Sequence, residues 1–259
     1  MIRLDTMSYA YFRGKTVFDG VSIDLPSHRR MAVLGGPETG KTTLIGLLSG
    51  VIDPTAGRIQ RFAHLSFPAG YSRAFRMPNS VRQNVIFAAR IYDADPDDVL
   101  AFIAGIVDLE GMLDRPMRDL AVPTRLAVAF ALTYALPFDT YLFDNIIGPG
   151  DPATRDLWRT LFEARTAQSG AILATRQPRA AEAYCDCALV LRRNAQPVFF
   201  ENMREAIALF EEENPAPRKP APTAGASDQA QGDSAAAQGD SAAAQGNSAA
   251  AQAVAKAAE

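Results

Sequence analysis

The sequence predicts a fold of the α/β class, in which a parallel sheet is covered by helices and preceded by a small antiparallel sheet. From residue 30 onward, short apolar segments typical of strands alternate with helical segments, which indicates a parallel sheet. A glycine-rich loop, 35–43, joins the apolar segment 30–34 to a helix start at 43–48. Several short β-like segments before residue 26 predict antiparallel strands.

The glycine-rich loop fits the pattern G-x-x-x-x-G-K-[ST], whose backbone N–H groups cradle nucleotide phosphates. Lys41 would reach the β- and γ-phosphates of ATP and Thr42 would bind Mg²⁺, while the helix N-terminus adds positive potential. A fortuitous glycine-rich turn is the alternative, and the strand and helix on either side argue against it. The predicted nucleotide-binding residues are Gly35, Gly36, Pro37, Glu38, Thr39, Gly40, Lys41, Thr42 and Thr43.

Before this loop, the pattern predicts short strands at 1–5, 16–18 and 21–25, with a hairpin turn at Asp19-Gly20 between the last two. Three aromatic residues lie between the first two segments, namely Tyr9, Tyr11 and Phe12. One of them could stack on an adenine ring, and each one equally suits a half-buried strand. For any single one of the three, the half-buried strand position is favoured.

The elements after the loop alternate in type. Gly50 is suited to end the first helix, and Asp95-Pro96 is a typical helix start. The predicted order is a strand that follows Asp53-Pro54, a loop-like stretch at 61–80, helices at 81–92, from Asp95 and at 124–136, a strand at 140–144, a helix from Asp151-Pro152 through Phe162, a strand at 171–175, a helix at 178–184, a hairpin of 188–191 with 197–200, and a last helix at 203–212.

Charge and hydropathy exclude several classes of protein. The net charge of −3 lacks the basic character that nucleic-acid binding needs. The N-terminus has no apolar signal core, and the longest nearly apolar run, 126–138, is shorter than the ~20 residues of a membrane-spanning helix. We therefore expect a soluble, non-secreted protein that reaches a membrane only through a partner. Cys185 and Cys187 have only His28 and His64 as further ligands, which favours ordinary thiols over a metal site.

A change of composition at residue 214 separates a predicted domain, 1–213, from a C-terminal tail, 214–259. Prolines come first, and a seven-residue unit, QGDSAAA, then repeats with a glycine in every unit. The apolar residues of this unit are alanines, which are too small for the core positions of a coiled coil. The composition predicts a disordered tail.

A second nucleotide motif supports the first. The apolar segment 140–144 ends in Asp144, where a Walker B aspartate would hold Mg²⁺. With both motifs in this order, residues 1–214 resemble the ATP-binding subunits of ABC transporters, and more narrowly those that export capsular and related surface polysaccharides in Gram-negative bacteria. The segments that carry the resemblance are 48–51, 54–59, 66–68, 90–93, 138–144, 147–151, 183–186 and 188–191.

The resemblance implies a P-loop NTPase core of the RecA-like type, with an antiparallel β-subdomain and a helical subdomain of the ABC type. It also implies a head-to-tail dimer, homomeric or heteromeric, in which each ATP lies between the phosphate loop of one subunit and the signature loop of the other. Hydrolysis would be coupled to a polytopic permease, which would hold the protein at the cytoplasmic face of the cell membrane. Segment 147–151 would be the D-loop.

Four departures from the family pattern fall in its catalytic motifs. Asn145 stands where the family has the glutamate that polarises the attacking water, and an amide cannot accept a proton near neutral pH. Arg176 stands at the switch histidine position and is a fixed cation. The signature loop falls on Ala121-Val122-Pro123, without the serine hydroxyl, and no glutamine occurs in 66–75, where a Q-loop would lie.

These changes beside an intact phosphate loop predict a subunit that binds Mg-ATP and hydrolyses it weakly. One function is that of an exporter subunit whose ATP binding closes a dimer beneath a permease. The alternative is a non-hydrolysing structural or regulatory partner of a polysaccharide export or assembly complex. A P-loop kinase or GTPase is disfavoured, because the segments after residue 48 follow the ABC order and no base- or acceptor-recognition motif is found.

Overall fold

The computed structural model describes residues 1–12, 14–71, 75–150 and 152–215. The predicted helix-starting residue Asp151, and the predicted tail from residue 216 onward, lie outside the described residues. Strands are β1 (Ile2–Ala10), β2 (Thr16–Leu25), β3 (Arg30–Leu34), β4 (Ala56–Arg61), β5 (Leu65–Pro68), β6 (Thr140–Asp144), β7 (Gly170–Thr175), β8 (Cys187–Val190) and β9 (Val198–Phe200). Helices are α1 (Lys41–Ser49), α2 (Val81–Ile91), α3 (Pro96–Ile106), α4 (Val122–Ala135), α5 (Pro152–Thr166), α6 (Pro178–Ala181) and α7 (Met203–Glu213), with a 3₁₀ turn at Met117–Asp119.

The larger sheet has the strand order β5-β6-β7-β3-β8-β9, in which β5 to β8 are parallel and β9 is antiparallel to β8. Its central strands are almost entirely buried, as their continuous apolar runs require when both faces are covered. Leu34 pairs with Thr175, and Asp144 pairs with Ala174. The carboxyl ends of β3, β6 and β7 therefore lie side by side, which is where parallel α/β sheets place their ligands.

The smaller sheet is antiparallel with the order β2-β1-β4. Strands β1 and β2 pair as antiparallel N-terminal strands, as predicted, and the third strand, β4, comes from after α1 and not from ahead of the glycine-rich loop. The predicted hairpin turn at Asp19-Gly20 is wrong, because β2 runs through both residues as one strand. Gly20 adopts a φ of 58°, and its N–H donates to Ser8 Oγ over 2.8 Å. The register also shifts between Met7 and Tyr9. The glycine thus forms an irregularity within a strand, which the Asp-Gly sequence alone does not distinguish from a turn.

The predicted loop at 61–80 is wrong at its centre, where β5 pairs with β6. Ser66 is fully buried and its Oγ accepts a 2.9 Å hydrogen bond from Leu142 N. The same hydroxyl donates to Phe67 O over 2.7 Å. A short strand with a buried serine and a terminal proline lacks the apolar alternation by which strands are predicted.

Helices α2, α3 and α4 form a helical group beside the larger sheet. Ser80 and Gln83 form a capping box at the start of α2, and Asp95 accepts bonds from the N–H groups of Asp97 and Asp98 at the start of α3. Helix α4 begins at Val122, two residues before the predicted start, and α6 ends at Ala181, before the predicted end at 184. No helix in the described ranges is both long and apolar enough to cross a bilayer.

Both cysteines are buried and unpaired. Burial raises the pKa of Cys185 to about 12 and that of Cys187 to about 11. Both thiols are therefore neutral near pH 7, as ordinary buried thiols are. Among the described residues, no three His, Cys, Asp or Glu side chains lie close enough together to hold a metal ion.

Replacing Ser66 by alanine should lower the free energy of unfolding by ~1–3 kcal/mol, because it leaves the Leu142 N–H buried without an acceptor. Ser22→Ala is the matched control, since that hydroxyl accepts a bond from Thr6 N at an exposed position. Urea denaturation measures both variants. Equal losses in the two variants would contradict a role for Ser66 in joining β5 to the sheet.

Candidate functional site

Residues 35–40 of the predicted phosphate loop, 35–43, connect β3 to α1, and this helix begins at Lys41, two residues before the predicted start at Thr43. Thr39 Oγ1 donates to Gly36 O over 3.0 Å, which closes the loop on itself. Gly40 adopts a φ of 93°, and a β-carbon there would overlap the side chain of Val17. Only glycine satisfies both the left-handed conformation and this close approach.

Lys41 is buried at the start of α1, where its ammonium is held by the loop itself. Its Nζ donates to Gly35 O over 2.6 Å and to Gly36 O over 2.7 Å. Burial, together with the smaller effect of the charge of Arg176, lowers the pKa of Lys41 to about 8, and the charge of Asp144 opposes this change. The ammonium is thus poorly solvated, and an arriving phosphate would relieve that cost.

A cavity of about 320 Å³ opens at the mouth of the loop. It brings together residues that are far apart in the sequence, from the β1–β2 connection, from α1 and from the ends of β6 and β7. Its lining consists of Tyr11, Lys15, Val17, Glu38, Gly40, Lys41, Thr42, Thr43, Asn145 and Arg176. The predicted phosphate loop and the predicted glutamate and switch positions therefore face one space.

Asp144 is the last residue of β6, and Asn145, which follows it, lines this cavity. Asn145 has a φ of 69°, a left-handed conformation that asparagine tolerates better than most residues. Its N–H donates to Ala174 O over 2.7 Å, and its Nδ2 donates to Asp144 Oδ1 over 3.1 Å. The amide therefore acts as a donor toward the neighbouring carboxylate, and neither of its groups takes up a proton near neutral pH.

A Mg²⁺ ion fits the residues present at this edge. Thr42 supplies an exposed hydroxyl, and Asp144 supplies a half-buried carboxylate, which are the oxygen ligands that Mg²⁺ prefers. The Asn145 bond engages only the Oδ1 atom of that carboxylate. Because Mg²⁺ needs six ligands, phosphate oxygens and water would supply the others.

The predicted signature loop lies at the N-terminus of α4 and does not line the cavity. Ala121 is the N-cap and has no side chain that can accept a bond from the helix N–H groups. Val122 is 66% exposed, and Pro123 lies in the first turn, where it has no N–H to donate. Within one subunit, this loop and the phosphate loop are separate features.

Residues 147–150 of the predicted D-loop, 147–151, and the start of α2 also lie outside this cavity. Ile147, in the predicted D-loop, accepts a 2.6 Å bond from the hydroxyl of the buried Tyr134. Gly148 lies against Trp158, and a β-carbon there would overlap the indole. Gln83, the first glutamine after 66–75, lies in α2, within the predicted helix 81–92, and its Oε1 accepts a 3.0 Å capping-box bond from Ser80 N.

The sequence interpretation missed Lys15 and Val17 and left Tyr11 as one of three aromatic alternatives. Tyr11 hydroxyl and Thr43 Oγ1 lie 2.6 Å apart, so Tyr11 stands over the start of α1. Lys15 Nζ forms a 3.1 Å ion pair with Glu38 of the phosphate loop. These contacts span more than twenty residues of sequence, and no local pattern signals them.

Comparisons with known proteins agree with this geometry. Residues 18–146 match a family model described as ABC transporter. The chain is 35% identical to the ATP-binding protein BexA of Haemophilus influenzae, over 82% of this chain and 99% of that protein. It is 34% identical to the capsule polysaccharide export ATP-binding protein CtrD of Neisseria meningitidis serogroup B, over 81% of this chain and 98% of that one.

Solved structures share the fold. One, described as the ATP-binding subunit of an ABC transporter, matches 81% of this chain and 94% of its own length with a TM-score of 0.62 at 17% identity. The predicted fold class, a P-loop NTPase core with antiparallel and helical subdomains of the ABC type, is therefore confirmed.

The low pKa of Lys41 predicts a pH dependence of nucleotide binding. A bound phosphate favours the charged ammonium and raises its pKa, so binding above pH 8 requires proton uptake. The dissociation constant of Mg-ADP, measured by calorimetry, should be flat from pH 7 to 8 and then rise by up to about tenfold per pH unit.

Lys41→Arg is the control for this titration, because a guanidinium stays charged throughout the range. In that variant the dissociation constant of Mg-ADP should change little with pH above 8, whatever its affinity at pH 7. A wild-type dissociation constant that is constant from pH 7 to 9.5 would contradict the assignment of Lys41.

Proposed function

The chain belongs to the ABC transporter family of ATP-binding proteins, and on that premise we propose that it is the nucleotide-binding subunit of an exporter of capsular or related surface polysaccharide, which binds Mg-ATP and hydrolyses it slowly. The observation that carries the proposal is the cavity in which an intact phosphate loop faces Asn145 instead of a carboxylate. The cargo class rests on the relatives, which include a capsule polysaccharide export protein.

Several contacts support nucleotide binding. Lys41 and Arg176 bring two positive charges to the mouth of the phosphate loop, where a triphosphate would be neutralised. Tyr11 is 47% exposed at the same cavity, so its ring is available for stacking on the adenine. When bound, Mg²⁺ would neutralise charge on the β- and γ-phosphates, held by Thr42 and Asp144.

The residues at the two positions that would activate water are poorly suited to accept or exchange a proton. Asn145 orients its Nδ2 toward Asp144 and offers no base to an attacking water. Loss of a general base costs roughly 10²–10⁴ in rate. Arg176 can contact a γ-phosphate, but it cannot exchange a proton near neutral pH.

The dimer geometry of the family adds a second defect. In a homodimer, each phosphate loop meets a signature loop in which Ala121 has no hydroxyl and Pro123 has no N–H. In a heterodimer with a partner whose motifs are intact, the site at this chain's phosphate loop lacks its base, because Asn145 is there. The site at the partner's phosphate loop faces this chain's altered signature loop. Val122 and Ile146 are large apolar residues that are exposed beside the two segments expected at such an interface.

In this proposal the subunit acts at the cytoplasmic face of the cell membrane, docked on a polytopic permease. ATP binding would close the dimer and drive the permease, and slow hydrolysis or exchange would reopen it. No nucleic-acid partner is proposed, in keeping with the net charge of −3.

A second candidate function is that of a non-hydrolysing partner of a polysaccharide export complex. The hydrogen bond from Asn145 to Asp144 favours it, because the group at the predicted base position donates to the neighbouring carboxylate and takes up no proton from water. The two functions differ in whether ATP hydrolysis in the export complex is carried out by another ATP-binding subunit.

The purified chain should bind Mg-ATP and release phosphate at a rate close to background. Lys41→Ala should abolish binding, because the ammonium is the charge nearest the loop. Equilibrium binding and a coupled phosphate assay measure the two properties on one preparation. Robust steady-state phosphate release that Lys41→Ala abolishes would contradict the proposal.

Asn145→Glu alone should recover little turnover. The signature loop keeps its defect, and the φ of 69° at this position suits asparagine better than glutamate. Full recovery from this single change would show that the signature loop is not at Ala121-Val122-Pro123.

Replacing Arg176 by alanine should weaken ATP binding roughly tenfold and ADP binding much less, because the guanidinium would pair with the γ-phosphate. Arg179→Ala is a matched control, since Arg179 pairs with Glu211 on the surface. Competition binding with ATP and with ADP measures the ratio of the two losses in affinity. Equal losses for ATP and ADP would rule out a γ-phosphate contact.

A further inference from the structure

We propose that Asn214 and Arg193 are positioning residues of the phosphate loop, through which the end of α7 and the turn after β8 hold the Gly36-Pro37 backbone in the shape that a polyphosphate binds. The inference rests on the proposed nucleotide-binding function. It concerns residues outside every motif found in the sequence.

Asn214 is the C-cap of α7 and lies directly against Gly36. Its backbone N–H and its Nδ2 both donate to Phe210 O, each over 3.0 Å. These two bonds fix the side chain, and the remaining Oδ1 atom faces the loop. A β-carbon added at Gly36 would overlap that oxygen, and its three nearest atoms would all belong to Asn214.

Arg193 holds the next peptide of the loop. Its Nη2 donates to Pro37 O over 3.2 Å. In a trans peptide the carbonyl and the following N–H point in opposite directions, so this bond turns the Glu38 N–H away from Arg193. The pKa of Glu38 is lowered, mainly by Lys15 and additionally by the nearby charge of Arg193.

The two contacts belong to one unit. Arg192 forms a partly buried ion pair with Glu213, which joins the turn after β8 to the last residue of α7. Asn214 and Arg193 therefore approach the loop from a common support and not as independent side chains.

The loop needs this support most when nucleotide arrives. Lys41 holds the carbonyls of Gly35 and Gly36, and a bound polyphosphate competes for the same ammonium. The contacts from Asn214 and Arg193 do not involve that ammonium, so they can keep the Gly36-Pro37 segment in place. Because binding energies are reciprocal, nucleotide would in turn stabilise the end of α7.

A double-mutant cycle tests the contact between Gly36 and Asn214 in the absence of nucleotide. Gly36→Ala should lower the thermal midpoint of the full chain, because the new methyl group overlaps Asn214. Adding Asn214→Ala should restore most of the loss. A double variant whose midpoint is the sum of the two single effects would overturn the contact.

A binding experiment tests its function. The double variant Arg193→Ala/Asn214→Ala should bind Mg-ATP and Mg-ADP about tenfold more weakly than the wild type, with an equal loss for both because the loop contacts the phosphates they share. Arg179→Ala, which removes a different ion pair to α7, should bind both nucleotides like the wild type.

The two results separate the claims. Unchanged nucleotide affinity in Arg193→Ala/Asn214→Ala, or a loss of affinity in Arg179→Ala equal to the loss in that double variant, would overturn the positioning role while leaving nucleotide binding intact. A wild-type chain that binds no Mg-ATP, although the double-mutant cycle of Gly36 and Asn214 behaves as expected, would overturn the proposed function instead.

Discussion

The register of three parallel strands is the constraint on which the rest of the site depends. The pairing of Leu34 with Thr175, and of Asp144 with Ala174, brings the ends of β3, β7 and β6 to one edge of the sheet. Lys41, Asn145 and Arg176 come from segments more than thirty residues apart, and only this alignment lets them face one cavity. A slip of one residue in any of these strands would reverse the direction of its side chains.

The charges at this edge favour holding an anion over activating water. Two cations, Lys41 and Arg176, lie close enough that the charge of the second contributes to lowering the pKa of the first. The carboxylate of Asp144 is hydrogen-bonded by the amide of Asn145, which is predicted to stand at the position of the family's base. The proposed affinity for phosphate and the proposed loss of proton transfer thus involve the same few side chains, and binding and hydrolysis are proposed to be separated in this subunit.

The sequence predicts best what is determined locally. The strand, loop and helix around the phosphate motif are predictable because Gly40, the buried run before it and the helix after it act within a few residues. The missed strand β5 depends on Ser66, whose place in the sheet is set by a bond to Leu142. The aspartate-glycine pair in β2 has a hairpin sequence, and pairing with β1 decides its conformation. Lys15 and Asn214 reach the loop across long sequence distances, which no periodicity reports.

The fate of a single bound nucleotide shows whether the site binds ATP and hydrolyses it only slowly, as proposed. The chain is loaded with radiolabelled ATP and Mg²⁺ and freed of unbound nucleotide, and the bound label is identified by chromatography after a long incubation. We expect the label to remain ATP for many times longer than one turnover of an ordinary enzyme, whose rate is typically about 1–10³ s⁻¹. Recovery of the label as bound ADP on that ordinary timescale would contradict it.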